Sequence, residues 1–490
     1  MISTEQLYQT LQKRFGFSHF RAGQLEALTA LTAGQNTLAV LPTGAGKTLI
    51  YELYGAVTQQ LVLIVSPLIS LMQDQVTTLN VKGEKRAAAL TSLMTYPEKN
   101  WVLQHLAAYR FLFVSPEMLS QDAVLSALQN VSLGLLVVDE AHCISTWGPD
   151  FRPEYLLLGQ IRHQLNDPLT LMTTATATQH VKTDIKQKLQ LPDATEVVLP
   201  IDRQNIFLDV AQFETQPDKD DRLVELVTTL KKPGVVYFSS KKKANETAEL
   251  LALKTHCRVA AYHADLDAET RFKVQQQFMQ DQLDVICATS AFGMGIDKNN
   301  VRFVIHYHVP SDLEAYWQEI GRAGRDGKQS IAILLYQPGD EQIAQFLSDA
   351  TVPQENEIHY YFQQNEPQVA GDEKANLIWF YKQHHYRENQ VQVLFERRRE
   401  QRMVAFQKMM GYLRTPTCKR QYVQRYFDQA ATLDELPKDC CSSDQPDIDL
   451  AALGLIAADD SAATGQSEDS ASWQAILTQL FNGDSGADAV

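Results

Sequence analysis

One short stretch constrains this chain more than any other. Residues 37–41 read as a strand, and they run directly into Pro42-Thr43-Gly44-Ala45-Gly46-Lys47-Thr48, after which a helical pattern begins. Glycines let a backbone wrap closely around a phosphate. The N-terminus of the following helix adds amide donors and a favourable dipole. Lys47 is spaced to reach the β and γ phosphates, and the Thr48 hydroxyl to coordinate Mg²⁺. The strict pattern has glycine at position 41, where this chain has Leu41. TGxGKT is nonetheless highly specific between a strand and a helix, and a Gly-rich turn with a surface lysine is the bland alternative.

Around this loop the chain alternates apolar, β-rich runs with helical patterns. Runs at 37–41, 61–66, 111–114, 133–138 and 169–173 are apolar on both faces, as strands of a helix-covered parallel sheet are. The pattern repeats after Asp202 at 234–238, 258–261, 284–287, 302–306 and 330–335. The expected fold is α/β, with two tandem doubly wound parallel-sheet domains at 1–205 and 206–342. In such sheets ligands bind at the carboxyl ends of strands, and a cleft between two units collects loops from both. From about Glu341 the β signal ends. Residues 343–428 read as helical and 443–472 as a Ser/Asp/Ala/Gly-rich segment without fixed structure. A short amphipathic helix follows, with Trp473, Ile476, Leu477, Leu480 and Phe481 on one face.

The net charge of −15 argues against a nucleic-acid partner until it is located. Residues 431–490 hold twelve Asp/Glu and one Lys, whereas 380–428 hold eleven Lys/Arg against four Asp/Glu. Local patches decide phosphate affinity, so the bulk charge is a poor guide. Arg397, Arg398, Arg399, Arg402, Lys419, Arg420 and Arg425 read as one phosphate-binding stretch. No apolar run approaches the ~20 residues that cross a bilayer, and the N-terminus lacks a signal peptide's pattern. A cytoplasmic location and no membrane partner are expected. Six cysteines in 490 residues form no disulfide framework.

The strand at 133–138 ends in Asp139-Glu140-Ala141-His142. Beside a phosphate loop, a strand-end aspartate can hold Mg²⁺ and the next carboxylate can polarise the attacking water. TGAGKT followed by DEAH resembles the superfamily 2 helicases. Three further stretches, FSHFRAGQ (17–24), DEAHCISTWGPDFRPEY (139–155) and AFGMGIDK (291–298) with QEIGRAGRDG (318–327), resemble the RecQ family of DNA helicases specifically. Ala22 stands where that family usually has proline.

The resemblance implies RecA-like domains, ATP as substrate, Mg²⁺ as cofactor, and 3′-to-5′ movement on single-stranded or forked DNA in repair and recombination. It implies that Gln24 reads the adenine edge, Phe17 packs on the base, with core packing as the alternative, and Arg21 supports that side. Arg325 becomes the arginine finger, Arg322 a phosphate contact and Asp297 a ribose contact. Trp147 and Phe151 become stacking platforms for bases, although composition alone favours the interdomain core, and Arg152 a phosphate or carboxylate contact. Thr174 relays between nucleotide and strand. Ser66 and Ser115, at strand ends, suit sugar-phosphate contacts.

RecQ proteins commonly continue with a helical zinc-binding module. Cys418-Lys419-Arg420 and Tyr426-Phe427 resemble its start, but Cys440-Cys441-Ser442-Ser443-Asp444 departs from its end. Adjacent cysteines rarely share a metal and Asp444 stands where a thiolate is expected. The module at 343–447 therefore reads as degenerate, held by apolar packing rather than tight zinc. The remaining 448–490 reads as a mostly disordered acidic tail, too short for a winged helix. It is inert, an internal DNA mimic, or a dock for a protein partner through Trp473, Leu477 and Phe481. The competing functions are an RNA helicase or remodeller on the same motor, and a non-enzymatic DNA-binding scaffold.

Overall fold

A computed structural model of the chain describes residues 2–146, 152–293, 298–364, 372–429, 440–442 and 448–457. Two parallel sheets dominate it. The first comprises β1 (Thr37–Val40), β2 (Leu61–Val65), β3 (Ala87–Leu90), β4 (Phe111–Val114), β5 (Leu133–Val138), β6 (Thr170–Thr174) and β7 (Thr195–Val198), in the order β3-β4-β2-β5-β6-β1-β7. The second comprises β8 (Ile206–Gln212), β9 (Gly234–Tyr237), β10 (Val259–Tyr262), β11 (Val285–Ala288), β12 (Phe303–His306) and β13 (Ser330–Tyr336), in the order β10-β11-β9-β12-β13-β8. Every pairing between these strands is parallel.

The sequence explains this choice. LVLIV, LGLLVV and SIAILLY are buried along essentially their whole length, and only a sheet covered by helices on both faces buries alternate residues equally. Each sheet accordingly separates two apolar layers. Leu63, Val65, Val114 and Val138 lie in one layer of the first sheet, and Ile64, Phe113 and Val137 in the other. β1 and β5 are centred so that the phosphate loop and Asp139 leave the same edge of that sheet. β6 lies between them and pairs with both.

The helical part divides in two. Helices Glu355–Gln363 and Glu373–Gln383 close a small core of their own, with Ile358, Ile378, Tyr381, Val391 and Phe395. The C-terminal half of the long helix Glu388–Arg414 and the helix Lys419–Tyr426 instead pack Phe406, Met409, Tyr412, Val423 and Phe427 into the core of the second sheet.

Two expectations are corrected here. Part of the segment read as lacking fixed structure is built into the second domain. Leu455 is buried among Leu226, Val227 and Leu251, the backbone bridges Leu230 to Ile456, and Ala457 donates to the Thr229 carbonyl. Ile448, Leu450, Leu453 and Leu455 supply the apolar surface that the acidic composition around them concealed. The candidate helix at 473–481 lies outside the described residues.

Nor do the seven basic residues form one patch. Arg420 is completely buried, paired with the Asp202 carboxylate and donating to the Arg203 and Ile206 carbonyls. Lys419 caps the preceding helix by donating to the carbonyls of Tyr412, Leu413 and Thr415. Arg399 and Arg402 donate to the carbonyls of Pro353 and Ser348, while Arg397 is exposed. Breaking a buried ion pair from one side leaves the other charge uncompensated. Arg420→Ala should therefore destabilise the chain by roughly 3–5 kcal/mol, against about 0.5 kcal/mol or less for Arg397→Ala. Urea unfolding of the two variants measures this. Equal midpoints would show that Arg420 does not hold the fold.

Candidate nucleotide site and interdomain cleft

The phosphate loop lies between β1 and the helix Lys47–Thr58. Gly44 and Gly46 have φ of +86° and +76°, the left-handed region where a side chain is strained. A Cβ at Gly46 would meet the Gln24 amide nitrogen at 2.6 Å. Leu41 explains why glycine is dispensable at its position. Its amide still donates to the Thr174 carbonyl, as in a strand, and its side chain is buried. The loop bends only after it. Lys47 Nζ donates to the Leu41 carbonyl at 3.2 Å, within the loop that would surround a phosphate.

Gln24 does not face outward for a base. Its side-chain nitrogen donates to the carbonyls of Ala45 (2.9 Å) and Gly46 (3.0 Å), and its oxygen accepts from the Arg21 amide (2.9 Å). Arg21 itself donates to the Gly44 carbonyl. The reading of Gln24 as an adenine reader thus gives way, in this arrangement, to bracing of the phosphate loop. Gln24 holds two successive loop carbonyls, of which that of Gly46 also accepts from the Leu49 amide. Phe17 is 53% exposed, so it is not the core residue of the bland alternative.

Asp139 follows β5. Its Oδ1 accepts from Thr173 Oγ1 at 2.6 Å and from the Glu140 amide at 3.1 Å. Its other oxygen has no hydrogen-bond partner among the described residues. Desolvation, with the Glu140 charge adding, pushes the Asp139 carboxyl up to about 6, against the Thr173 bond and the Lys47 charge. A carboxylate held at such a cost suits a cation, and with the Thr48 hydroxyl it offers the oxygen donors that Mg²⁺ takes. Glu140 has φ of +49°, a strained conformation for a side-chain-bearing residue, and is held there by flanking ladder bonds from Asp139 and Ala141.

His142 was not among the residues singled out for a role, yet it links the two domains. Its Nδ1 lies 3.1 Å from Thr174 Oγ1 and 3.4 Å from Glu140 Oε2. Burial, with the Lys47 charge adding, lowers its pKa to about 4, so the ring is neutral. Across the cleft Gln318 donates from its amide to His142 Nε2 (3.3 Å) and Thr176 Oγ1 (3.4 Å). Gln318 lies on the helix Leu313–Ile320, whose apolar residues Leu313, Tyr316, Trp317 and Ile320 seat it on the second sheet. The only hint in the sequence was its position at the head of QEIGRAGRDG.

That helix leads to the two arginines. The Arg325 side chain passes over the phosphate loop, its Cγ 3.6 Å from where a Gly44 Cβ would stand. Arg322 donates to the Gly293 carbonyl, and its buried Nε has no partner among the described residues. Arg325 therefore stands over the loop that leads to Lys47 and Thr48, whereas Arg322 is held within its own domain at Gly293.

The expected DNA-side residues fare differently. Ser66 and Ser115 are buried, and the Ser115 hydroxyl caps the helix Pro116–Leu119 by accepting from the Met118 amide. The Ser115 hydroxyl is spent inside the fold, and the Ser66 hydroxyl is buried without a hydrogen-bond partner among the described residues, so neither faces a sugar-phosphate backbone as expected. Thr174 is buried against His142, and donates to the Thr176 carbonyl at 3.0 Å. Arg152 pairs with Glu117. Trp147, Phe151 and Asp297 lie outside the described residues, as does Asp444. Cys418, Cys440 and Cys441 do converge, with Sγ separations of 3.5, 3.5 and 3.9 Å. Adjacent cysteines rarely share a metal, yet here both thiols lie beside that of Cys418.

Comparison with known proteins settles the family. Residues 21–184 match the DEAD/DEAH box helicase family and residues 218–327 the helicase conserved C-terminal domain. The probable ATP-dependent DNA helicase RecS of Bacillus subtilis is 41% identical over 461 residues, covering 91% of this chain and 93% of that protein. The chain belongs to the RecQ family. The RecQ helicase of the same organism is 38% identical, covering 70% of this chain and 58% of its own length. The yeast helicase SGS1 is 35% identical over 72% of this chain and 25% of its own length, so the chain spans only part of such longer members. In fold, it is similar to the Mycobacterium smegmatis helicase Lhr bound to single-stranded DNA and AMP-PNP (TM-score 0.56, 22% identity, covering 70% of this chain and 49% of that one). It is also similar to Mss116p bound to single-stranded RNA (TM-score 0.58, 16% identity, covering 85% and 94%). Among the described residues no helix is long and apolar enough to cross a membrane.

In this RecQ-family cleft, Gln318 makes two neutral hydrogen bonds across the domains. Gln318→Leu removes both at nearly constant volume. Each is worth about 0.5–1.5 kcal/mol, so ATP turnover should fall roughly tenfold while nucleotide affinity stays within about threefold. Steady-state kinetics with a fluorescent nucleotide titration tests this, and unchanged turnover would make the contact incidental.

Proposed function

We propose that the chain is an ATP-dependent DNA helicase that translocates on single-stranded DNA, 3′ to 5′, and unwinds the duplex ahead of it. The observation carrying this reading is the passage of Arg325, from the second sheet, over Gly44 of the first sheet's phosphate loop. A site shared in this way is complete only when the domains are together. Its nucleotide state therefore biases their separation, and alternating grip on a strand follows. The named RecQ and RecS relatives, DNA helicases, support DNA over RNA. A binding scaffold would need none of Lys47, Asp139, Glu140 or Arg325.

In this mechanism Lys47 exchanges the Leu41 carbonyl for phosphate oxygens. Thr48 and Asp139 would hold Mg²⁺, which when bound would supply charge neutralisation to the phosphates. Glu140 orients the attacking water and accepts its proton. Neutral His142 fixes Glu140 on one side and reports its position to Gln318 on the other. Arg325 brings a guanidinium to the γ-phosphate as charge develops, and Arg322 keeps the neighbouring loop at Gly293 in place. Trp147 and Phe151 stack on bases of the tracked strand, with Arg152 at the base of that loop.

Glu140→Gln keeps shape and hydrogen bonding but cannot take the proton. It should retain nucleotide binding and lose roughly 100- to 10,000-fold in kcat. The assay is ATP hydrolysis with single-stranded DNA, forked DNA and RNA. Near-normal hydrolysis by this variant removes the catalytic assignment, and stimulation by RNA alone favours the RNA-remodeller reading.

The three thiols fit one zinc ion. A tetrahedral ion with Zn–S of about 2.3 Å separates its sulfurs by about 3.8 Å, and the separations here are 3.5, 3.5 and 3.9 Å. Asp444 is the proposed fourth ligand. Metal analysis of the purified chain should find about one zinc per chain, reduced severalfold by Cys440→Ser, since structural sites of this type require their thiolates. A chain free of zinc when purified without chelator would leave the cluster as apolar packing.

A further inference from the structure

The linker between the domains brings a third arginine to the cleft. Arg203 lies between β7 and β8. Its Nη2 donates to the carbonyls of Gly324 (2.6 Å) and Ala323 (3.2 Å), and its Nη1 to the carbonyl of Thr43 (3.4 Å). Asn205, two residues on, accepts from Arg203 Nε (3.4 Å) and donates to the Gly324 (2.8 Å) and Lys328 (2.9 Å) carbonyls. One guanidinium thus spans the phosphate loop of one domain and the turn immediately before Arg325 in the other. Among the described residues it pairs with no carboxylate.

The turn it holds is special. Gly324 has φ of +57°, and a Cβ there would fall 2.4 Å from the Asn205 amide nitrogen. The Gly324 carbonyl accepts from the Gly327 amide at 3.0 Å within the turn, and the linker adds donors to it from Arg203 and Asn205. Arg203 is itself fixed. Its carbonyl accepts from Arg420 (3.1 Å), which also pairs with the adjacent Asp202. Burial lowers the Arg203 pKa, but guanidinium remains charged in proteins. A planar fork reaching three carbonyls at once is a task that lysine cannot reproduce.

We infer that Arg203 is a positioning residue for ATP turnover, tying the turn that carries Arg325 to the phosphate loop across the cleft. The inference rests on the proposed function. It makes the linker a working part of the nucleotide site rather than a passive tether. Displacing the Gly324 turn by an ångström displaces Arg325 with it, and misplacement on that scale is costly to catalysis. The loss should appear in kcat, because Arg325 acts on charge that develops in the transition state.

The test uses the full chain and a single-stranded oligonucleotide, measuring kcat and KM for ATP with thermal unfolding as a fold control. Arg203→Ala should lower kcat roughly tenfold or more with KM within about threefold, and Arg203→Lys should recover part of the loss. The double variant Arg203→Ala/Arg325→Ala should be no slower than Arg325→Ala, because the first residue acts through the second. A kcat for Arg203→Ala within about twofold of wild type overturns the inference, as does a double variant in which the two losses multiply. Should Arg203→Ala fail to fold, Arg203→Lys decides. An intermediate kcat with unchanged melting supports the role, and a wild-type kcat overturns it. A wild-type chain without DNA-stimulated turnover overturns the proposed function and this inference with it. Normal turnover that is insensitive to Arg203 overturns the inference alone.

Discussion

A parallel sheet places the carboxyl ends of all its strands on one edge, and nearly everything in this molecule depends on that constraint. β1, β5 and β6 deliver the phosphate loop, Asp139 and Thr174 to the same edge. Thr173 and Thr174, at the end of β6, both serve the segment that follows β5, one through Asp139 and the other through His142. The second sheet meets this edge with the loop and helix after β12, and so presents Gln318, Arg322 and Arg325. The cleft is spanned by single hydrogen bonds from neutral amides and by guanidinium-to-carbonyl contacts. Among the described residues, no salt bridge joins the two sheets across the cleft, and the pair of Arg420 with Asp202 lies at the linker. Contacts of about a kilocalorie each can be made and broken in every cycle, whereas a buried ion pair would resist opening.

The sequence disclosed the parts of this arrangement that leave a continuous apolar run or a motif. All three strands it failed to disclose, β3, β7 and β8, are sheet edges. β3 is AAAL, too weakly β-forming to stand out, and β7 is only partly buried along its length. Central strands are buried on both faces and announce themselves; edges are only half committed. The nucleotide residues were legible for a related reason. A phosphate loop needs glycine at positions with positive φ, so chemistry writes itself into residue type at Gly44 and Gly46. His142, Gln318 and Arg203 act through pairwise geometry between distant segments, and no spacing in the chain encodes that.

The charge pattern misled for a different reason, and the thiol pattern was legible only in part. A run of Arg and Lys has the same appearance whether its members face water or a carbonyl. Arg420 and Lys419 lie next to each other in the basic stretch, and both are consumed by the fold. The adjacent Cys440 and Cys441 offered an argument from local crowding. Yet β8 pairs with the chain there, through Leu208, and sets the backbone so that both thiols reach Cys418. Tertiary pairing outranked the local expectation.

These corrections converge on one place. Cys440 contributes its carbonyl to Leu208 of β8 and to Arg420, and Arg420 grips Asp202 and Arg203 of the linker. Gln429 adds a second grip, accepting from the Ile201 amide and donating to the Leu199 carbonyl, and Trp317 donates to the Ile201 carbonyl. The thiol cluster, the buried arginine and the linker are therefore successive links of one hydrogen-bonded chain that ends at the turn before Arg325. The helical module packs on the second sheet and also reaches the linker. Here it anchors the segment about which the two domains must move. On the proposed function, a hinge braced on one side by a third body would move along a restricted path, and the nucleotide state would then be converted to a defined displacement rather than to loosening of the two sheets.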